Sequence, residues 1–268
     1  METENIKTSS GRKTGFYIVA AILALFVIYY TFMSLLSPAA KISAASKEFG
    51  YKQPEKGAVL TDTGILTDSA FAVMNRKKAF YAARIAMAET DSLCLALNLT
   101  DSLATLEIDG VAVHKAKLIR MRISKFFHRT DEYALTSILS APLTIIKDYA
   151  TIKKEPLMIK MAPRDTSEYK PDILPDTTNS EAVNYILELQ NGIRLYVYQQ
   201  EEVKSNGGFN RFFFDLYDRF RNIWDTLKSI MVLKVPEYHP YVRIRMSKAD
   251  AKIIYRALPR HGQISIYI

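Results

Sequence analysis

The period of apolar and polar positions changes several times along the chain, and each change marks an element. Residues 14–36 carry no charge and are rich in Ile, Leu, Val, Ala, Phe and Tyr. At about 1.5 Å per residue they make a helix long enough for the roughly 30 Å hydrocarbon core of a bilayer. Residues 37–68 are small and polar with interspersed Gly and Pro, and read as a linker. Helical spacing returns over 70–88 through Ala70, Val73, Met74, Phe80, Tyr81 and Ile85, with Thr67 or Asp68 as the cap. From residue 93 the period drops to two. Leu93, Leu95, Leu97 and Leu99 alternate, residues 100–102 turn, and 103–108 returns. Asp109-Gly110 is a hairpin dipeptide, and 111–123 reads as a third strand.

The second half continues in the same way. Residues 130–139 read as a short helix that ends before Pro142, and 143–146 and 157–161 as strands. Pro163, Pro171 and Pro175, set among acids and hydroxyls, make 162–181 a long loop. Asn191-Gly192 joins 183–189 to 193–198 as a second hairpin. Beyond Gly207-Gly208, residues 209–231 form the strongest amphipathic helix outside the apolar run. Phe213, Leu216, Tyr217, Phe220, Ile223, Trp224, Leu227, Ile230 and Met231 share one side. The first expectation is that this side packs across the β domain. A membrane interface and a partner helix are the other two occupants such a face can take, with Phe213, Tyr217, Phe220, Trp224 and Leu227 as the candidate contacts. The chain closes on a strand, helix, strand unit. Residues 241–246 alternate, Ser247 caps a helix through Ala251, Ile254, Tyr255 and Leu258, Pro259 stops it, and Ile264, Ile266 and Ile268 form the last strand.

Composition adds location and narrows the chemistry. Lys7, Arg12 and Lys13 precede the apolar run and favour an inside N-terminus, although Lys41, Lys47 and Lys52 follow it. The run exceeds the 7–15 residues typical of a signal h-region, and Pro38 interrupts the small-residue site after it. The expectation is therefore an uncleaved anchor in a cytoplasmic membrane. That gives a tail at 1–13, a span at 14–36, a linker and helix at 37–92, and an extracytoplasmic domain at 93–268 with a helical insertion near 207–231. Most of the net charge of +8 falls in the outside part, which suits anionic lipid, wall polymer or an acidic partner as well as a plain solvated surface.

Cys94 is the single cysteine, so no internal disulfide forms, and its apolar neighbours predict a buried thiol. The histidines are His114, His128, His239 and His261. No zinc spacing, phosphate loop or serine elbow accompanies them. No metal, cofactor or nucleic-acid partner is expected.

The closing unit resembles the end of the L,D-transpeptidase catalytic domain, a bacterial family that cross-links the cell wall. Ile244-Arg245-Met246 matches its catalytic strand, Asp250-Ala251 and Ile254-Tyr255 its helix, and Gly262, Ile264 and Ile266 its final strand. The opening hairpins near 93–123 resemble the start of that domain. Where the family carries its nucleophilic Cys this chain has Arg243, and the neighbouring Gly and His positions hold Val242 and Tyr241. The resemblance implies a mainly β (α+β) domain, a sandwich or barrel with peripheral helices, whose site positions Tyr241, Val242, Arg243 and Arg245 have lost the catalytic motif. It also implies a pseudoenzyme that binds peptidoglycan or other envelope proteins. A subunit of a membrane complex and an enzyme with an unrecognised site are the alternatives.

Overall fold

The period-two segments assemble into one mixed sheet. The computed structural model describes residues 9–50, 69–154, 182–201 and 207–268. The strands are β1 (Cys94–Asn98), β2 (Leu103–Ile108), β3 (Val111–Lys117), β4 (Arg120–Ile123), β5 (Leu143–Ala150), β6 (Asn184–Leu189), β7 (Arg194–Gln199), β8 (Tyr241–Met246) and β9 (Gln263–Tyr267). Their order in the sheet is β3-β2-β1-β9-β5-β6-β7-β8-β4. The C-terminal strand β9 therefore lies inside the sheet, parallel to β1 and antiparallel to β5. β8 pairs in parallel with β7.

The helices are α1 (Ser9–Phe49), α2 (Ser69–Ala88), α3 (Phe126–Arg129), α4 (Glu132–Leu139), α5 (Gly207–Met231) and α6 (Lys248–Ala257). The chain divides into two compact units. One comprises Met1–Ala44 with Asp218–Tyr238, and the other Ala45–Tyr217 with His239–Ile268.

Both hairpins form at the expected dipeptides. Asp109 and Gly110 have φ of 49° and 75°, and Asn191 and Gly192 have 64° and 73°. Two successive residues in the left-handed region give the twist that joins antiparallel strands tightly, and Asp, Asn and Gly tolerate it best. α6 begins as the sequence predicts: the Ser247 hydroxyl accepts from Asp250 N at 3.1 Å and donates to Asp250 Oδ2 at 2.7 Å.

The domain core lies on the sheet. Cys94, Leu95, Ala96 and Leu97 are all buried, as are Tyr185, Ile186, Leu187, Leu195 and Val197. Such continuous burial means that helices or folded-back strands cover both faces. α2 supplies Ala79, Phe80, Ala83 and Met87, and it is pinned by two bidentate pairs. Arg84 donates to Glu107 at 2.8 and 3.0 Å, and Arg76 to Glu132 at 2.6 Å through two nitrogens.

Several expectations need correction. The segment 37–49 is helical and continues α1 through Pro38, because Ala39, Ala40, Ala44 and Ala45 favour helix strongly enough to absorb one missing backbone donor. The short helix starts at Glu132, capped by Asp131, and a turn of helix at 126–129 precedes it. β5 runs on to Ala150, past a register shift between Ile145 and Lys147. The proposed cap at Thr67 or Asp68, the strand at 157–161 and the loop at 162–181 lie outside the described residues.

The largest difference concerns 111–123, which is two strands. β3 ends one edge of the sheet and β4 ends the other, with Leu118 and Ile119 between them. Leu118 N bonds Ser102 O and Ile119 N bonds Arg245 O, each at 2.8 Å, so the ladder changes partner within one peptide. A two-residue connection reaches only about 10 Å, so the sheet curls until its edges approach. It is not closed, since β3 and β4 share no ladder.

Candidate functional site

β8 alternates strictly. Val242, Ile244 and Met246 are fully buried, while Tyr241, Arg243 and Arg245 are half-buried on the opposite face. Burying each apolar member contributes about 1.5–3 kcal/mol, which fixes the register and holds the other three residues outward. Of the four positions singled out by the resemblance, the strand thus brings Tyr241, Arg243 and Arg245 together and sends Val242 into the core.

The neighbouring strands complete a face. β4 places Arg120 opposite Arg245 and Arg122 opposite Arg243. On the other side, β7 sets Tyr196 beside Arg243 and Tyr198 beside Arg245. The first half of α5 adds Arg211, whose guanidinium carbon lies 4.7 Å from the Tyr198 ring centroid. Arg120, Arg122, Arg211, Arg243 and Arg245, with Tyr198, line a cleft of about 340 Å³. Tyrosine rings pack beside Arg243. Arg243 lies 5.1 Å from the centroids of both Tyr196 and Tyr241, and Tyr196 stacks on Tyr198 at 6.4 Å.

The charge balance of this face is unusual. Arg76, Arg84, Arg194 and Arg221 each have a carboxylate partner. Among the described residues none of the five cleft arginines has one. Asp215 approaches, but it accepts from the Tyr198 hydroxyl at 2.8 Å. Burial, followed by that carboxylate, pushes the Tyr198 phenol far up and keeps it protonated. Like charges directly opposite each other on paired strands are destabilising, and here two such pairs are adjacent. Burial is the largest cause that lowers the Arg245 pKa, followed by the charges of Arg211 and Arg120. Arg243 Nε is buried with no hydrogen-bond partner. Several planar forks of donors around one cleft suit carboxylate or phosphate oxygens, which a guanidinium can bind in pairs.

Other candidates are engaged elsewhere. Cys94 is 3% exposed, and burial pushes its thiol up. Its Sγ lies 3.4 Å from Ser92 O. His114 Nε2 donates to Asp250 Oδ1 at 2.9 Å, so Asp250 both accepts from the Ser247 cap and ties α6 to β3. His239 Nδ1 donates to Gly192 O at 3.1 Å. Among the described residues no cluster of His, Cys, Asp and Glu could hold a metal.

The second candidate surface, on α5, is exposed over much of its length. Phe213, Tyr217, Phe220 and Trp224 are between 59% and 72% exposed, and Leu227 is half-buried. Phe214 packs against Tyr196 and Tyr198, Ile230 is buried, and two acids are also engaged. Asp215 meets Tyr198, and the buried Asp218 pairs with Arg221 and Asn222.

Sequence reasoning missed Arg120, Arg122 and Arg211. Arg120-x-Arg122 and Arg243-x-Arg245 repeat the same period-two pattern of basic residues, and that signal is visible in the sequence. Assigning 120–123 to the third strand concealed it.

No family model, curated protein or solved structure matches the chain. The resemblance to L,D-transpeptidases rests on its residues alone.

Proposed function

We propose that this is a membrane-anchored, non-catalytic binding protein of the bacterial envelope, and that its arginine face holds an acidic ligand without reacting with it. α1 contains a strongly apolar stretch near the N-terminus with none of it buried, a pattern shared by spanning helices and signal sequences. The length of the run favours the span, and Lys7, Arg12 and Lys13 favour an N-terminus inside and a domain outside.

The single observation that carries the ligand class is the unneutralised arginine cluster across β4 and β8. Bringing such like charges together costs stability unless an anion completes the site. Outside a bacterial cytoplasmic membrane, the wall peptide is an abundant carrier of closely spaced carboxylates, and acidic segments of envelope proteins are another. If the resemblance to L,D-transpeptidases reflects common descent, the two halves of the sheet pack as a sandwich. Arg243 then stands where the nucleophile was, and the old substrate cleft has become a carboxylate cradle. A shared fold alone would not carry this reading. The arginines carry it.

Retention of the detergent-solubilised full chain on purified peptidoglycan sacculi tests the proposal. Retention at low salt should weaken steadily as salt rises, and Arg243→Gln with Arg245→Gln should abolish it. Absence of retention at low salt would refute wall binding. Retention unchanged in the double variant would show that the arginine face is not the contact.

A further inference from the structure

α5 is amphipathic, and much of its apolar side is exposed. Its polar side carries the buried Asp218, bonded to Arg221 and Asn222, and on its apolar side Ile230 is buried and Leu227 half-buried while Phe220, Ile223, Trp224 and Met231 face out. In the unit formed by residues 1–44 and 218–238, Phe220, Ile223, Trp224 and Met231 are all at least half exposed. Val232 and Leu233 extend the surface past the end of the helix. A water-exposed stripe of this composition is unfavourable and marks a contact surface.

The occupant follows from where the segment is tied. Ser37 directly follows the apolar run 14–36, four residues before the first charge at Lys41, and its hydroxyl donates to Pro236 O at 2.7 Å. One turn on, Lys41 meets Glu237 at 3.4 Å. The end of the α5 segment is therefore fastened to the end of the apolar run, at the level where a spanning α1 leaves the hydrocarbon. Trp, Phe and Tyr are the residues that settle at that level. α5 is far too polar to cross the bilayer itself, and among the described helices only α1 is long and apolar enough to do so. A helix with one strongly apolar side, one charged side and little apolar character on average instead lies in the interface. Exposed Arg219 and Lys228 flank the stripe on either side, from where their stems can run along the apolar surface and their charges reach headgroups.

We propose that the face of α5 centred on Phe220, Trp224 and Met231 lies in the headgroup–acyl boundary of the membrane that α1 crosses. This rests on the anchor reading above, and the two can fail separately. The helix is a second, in-plane attachment. With α1 it holds the segment 232–238 at the membrane surface.

Trp224 is the only tryptophan in the chain, so its fluorescence reports this face directly. The full chain is reconstituted into vesicles of phosphatidylethanolamine and phosphatidylglycerol, with bromine placed on either shallow or deep acyl carbons. The proteoliposomes are then floated on a density gradient. The expected result is flotation, blue-shifted emission, little quenching by aqueous iodide, and stronger quenching by shallow than by deep bromine. In a Trp224→Phe background, Asp225→Trp places the probe on another side of the helix, where iodide should quench it and bromolipid should not. A protein that floats but has water-like, iodide-quenched Trp224 emission overturns the interfacial helix while leaving the anchor. Blue-shifted emission without bromine quenching overturns it in favour of a protein partner. Equal quenching at 224 and 225 overturns the one-sided placement. Failure to float overturns the anchor, and the inference falls with it.

Discussion

At residue scale the proposed binding face centres on Arg243. Its guanidinium lies over two tyrosine rings, faces Arg122 across the ladder, and has a buried Nε with no partner. Arg243→Gln should leave folding intact, or raise stability in low salt by a few tenths of a kcal/mol, because a like-charge cross-strand pair disappears. The same change should weaken binding of a multivalent anion by roughly 10- to 100-fold, since charge-assisted hydrogen bonds contribute about 1.5–3 kcal/mol each. Titration calorimetry with a soluble muropeptide and thermal denaturation at low salt would read the two effects. A loss of stability in the variant would mean that Arg243 is structural. Cys94 gives the opposite kind of prediction. Its thiol is held above its ordinary value by burial, so less thiolate is present at pH 8 than in the unfolded chain. Alkylation by iodoacetamide should be slow in the native protein and fast in denaturant. Equal rates would place the thiol at the surface.

At the scale of elements, the segments legible in the sequence are those whose signals are local. The Asp109-Gly110 and Asn191-Gly192 turns, the Ser247 cap and the stop at Pro259 each act within a few residues, and each forms at its own signal. Gly192→Ala should cost about 1–2 kcal/mol, because the turn holds φ at 73° there. A neutral result in chemical denaturation would contradict that turn. What could not be read depends on partners far away in sequence. Nothing between Val111 and Ile123 announces that the ladder switches edges at Leu118. The switch exists because Arg245 O and Ser102 O, supplied from distant segments, wait on opposite sides. The orientation of α5 was hidden for a related reason. A hydrophobic stripe says that something covers it, and the sequence does not say whether protein or lipid does. The pairing of α2 with β2 through Arg84 and Glu107 was equally invisible. Glu107 is 4% exposed, so Arg84→Met should cost about 3 kcal/mol by leaving a buried carboxylate alone. Adding Glu107→Leu should recover most of it. Failure of the second change to rescue the first would show that packing, not charge, dominates there.

At the scale of the whole molecule, the described residues combine a long apolar helix, a curled nine-stranded sheet and an amphipathic helix with exposed aromatic residues. In the proposed function the first attaches the protein, the second binds its ligand and the third adds an in-plane attachment. Deleting residues 14–36 should move the chain from the membrane fraction to the carbonate-soluble fraction. Persistent association after deletion would mean that α5 alone suffices.

In the proposed function the arginine face is a ligand site and not merely a solvated basic surface. The most direct measurement is thermal denaturation of the full chain with increasing pyrophosphate at constant ionic strength, run in parallel with the Arg243→Gln, Arg245→Gln variant. Binding to the native state alone should raise Tm by about 5–10 °C at a hundredfold excess over Kd, and the double variant should show no rise. An equal rise in both proteins, or none in either, would contradict a ligand site at these arginines.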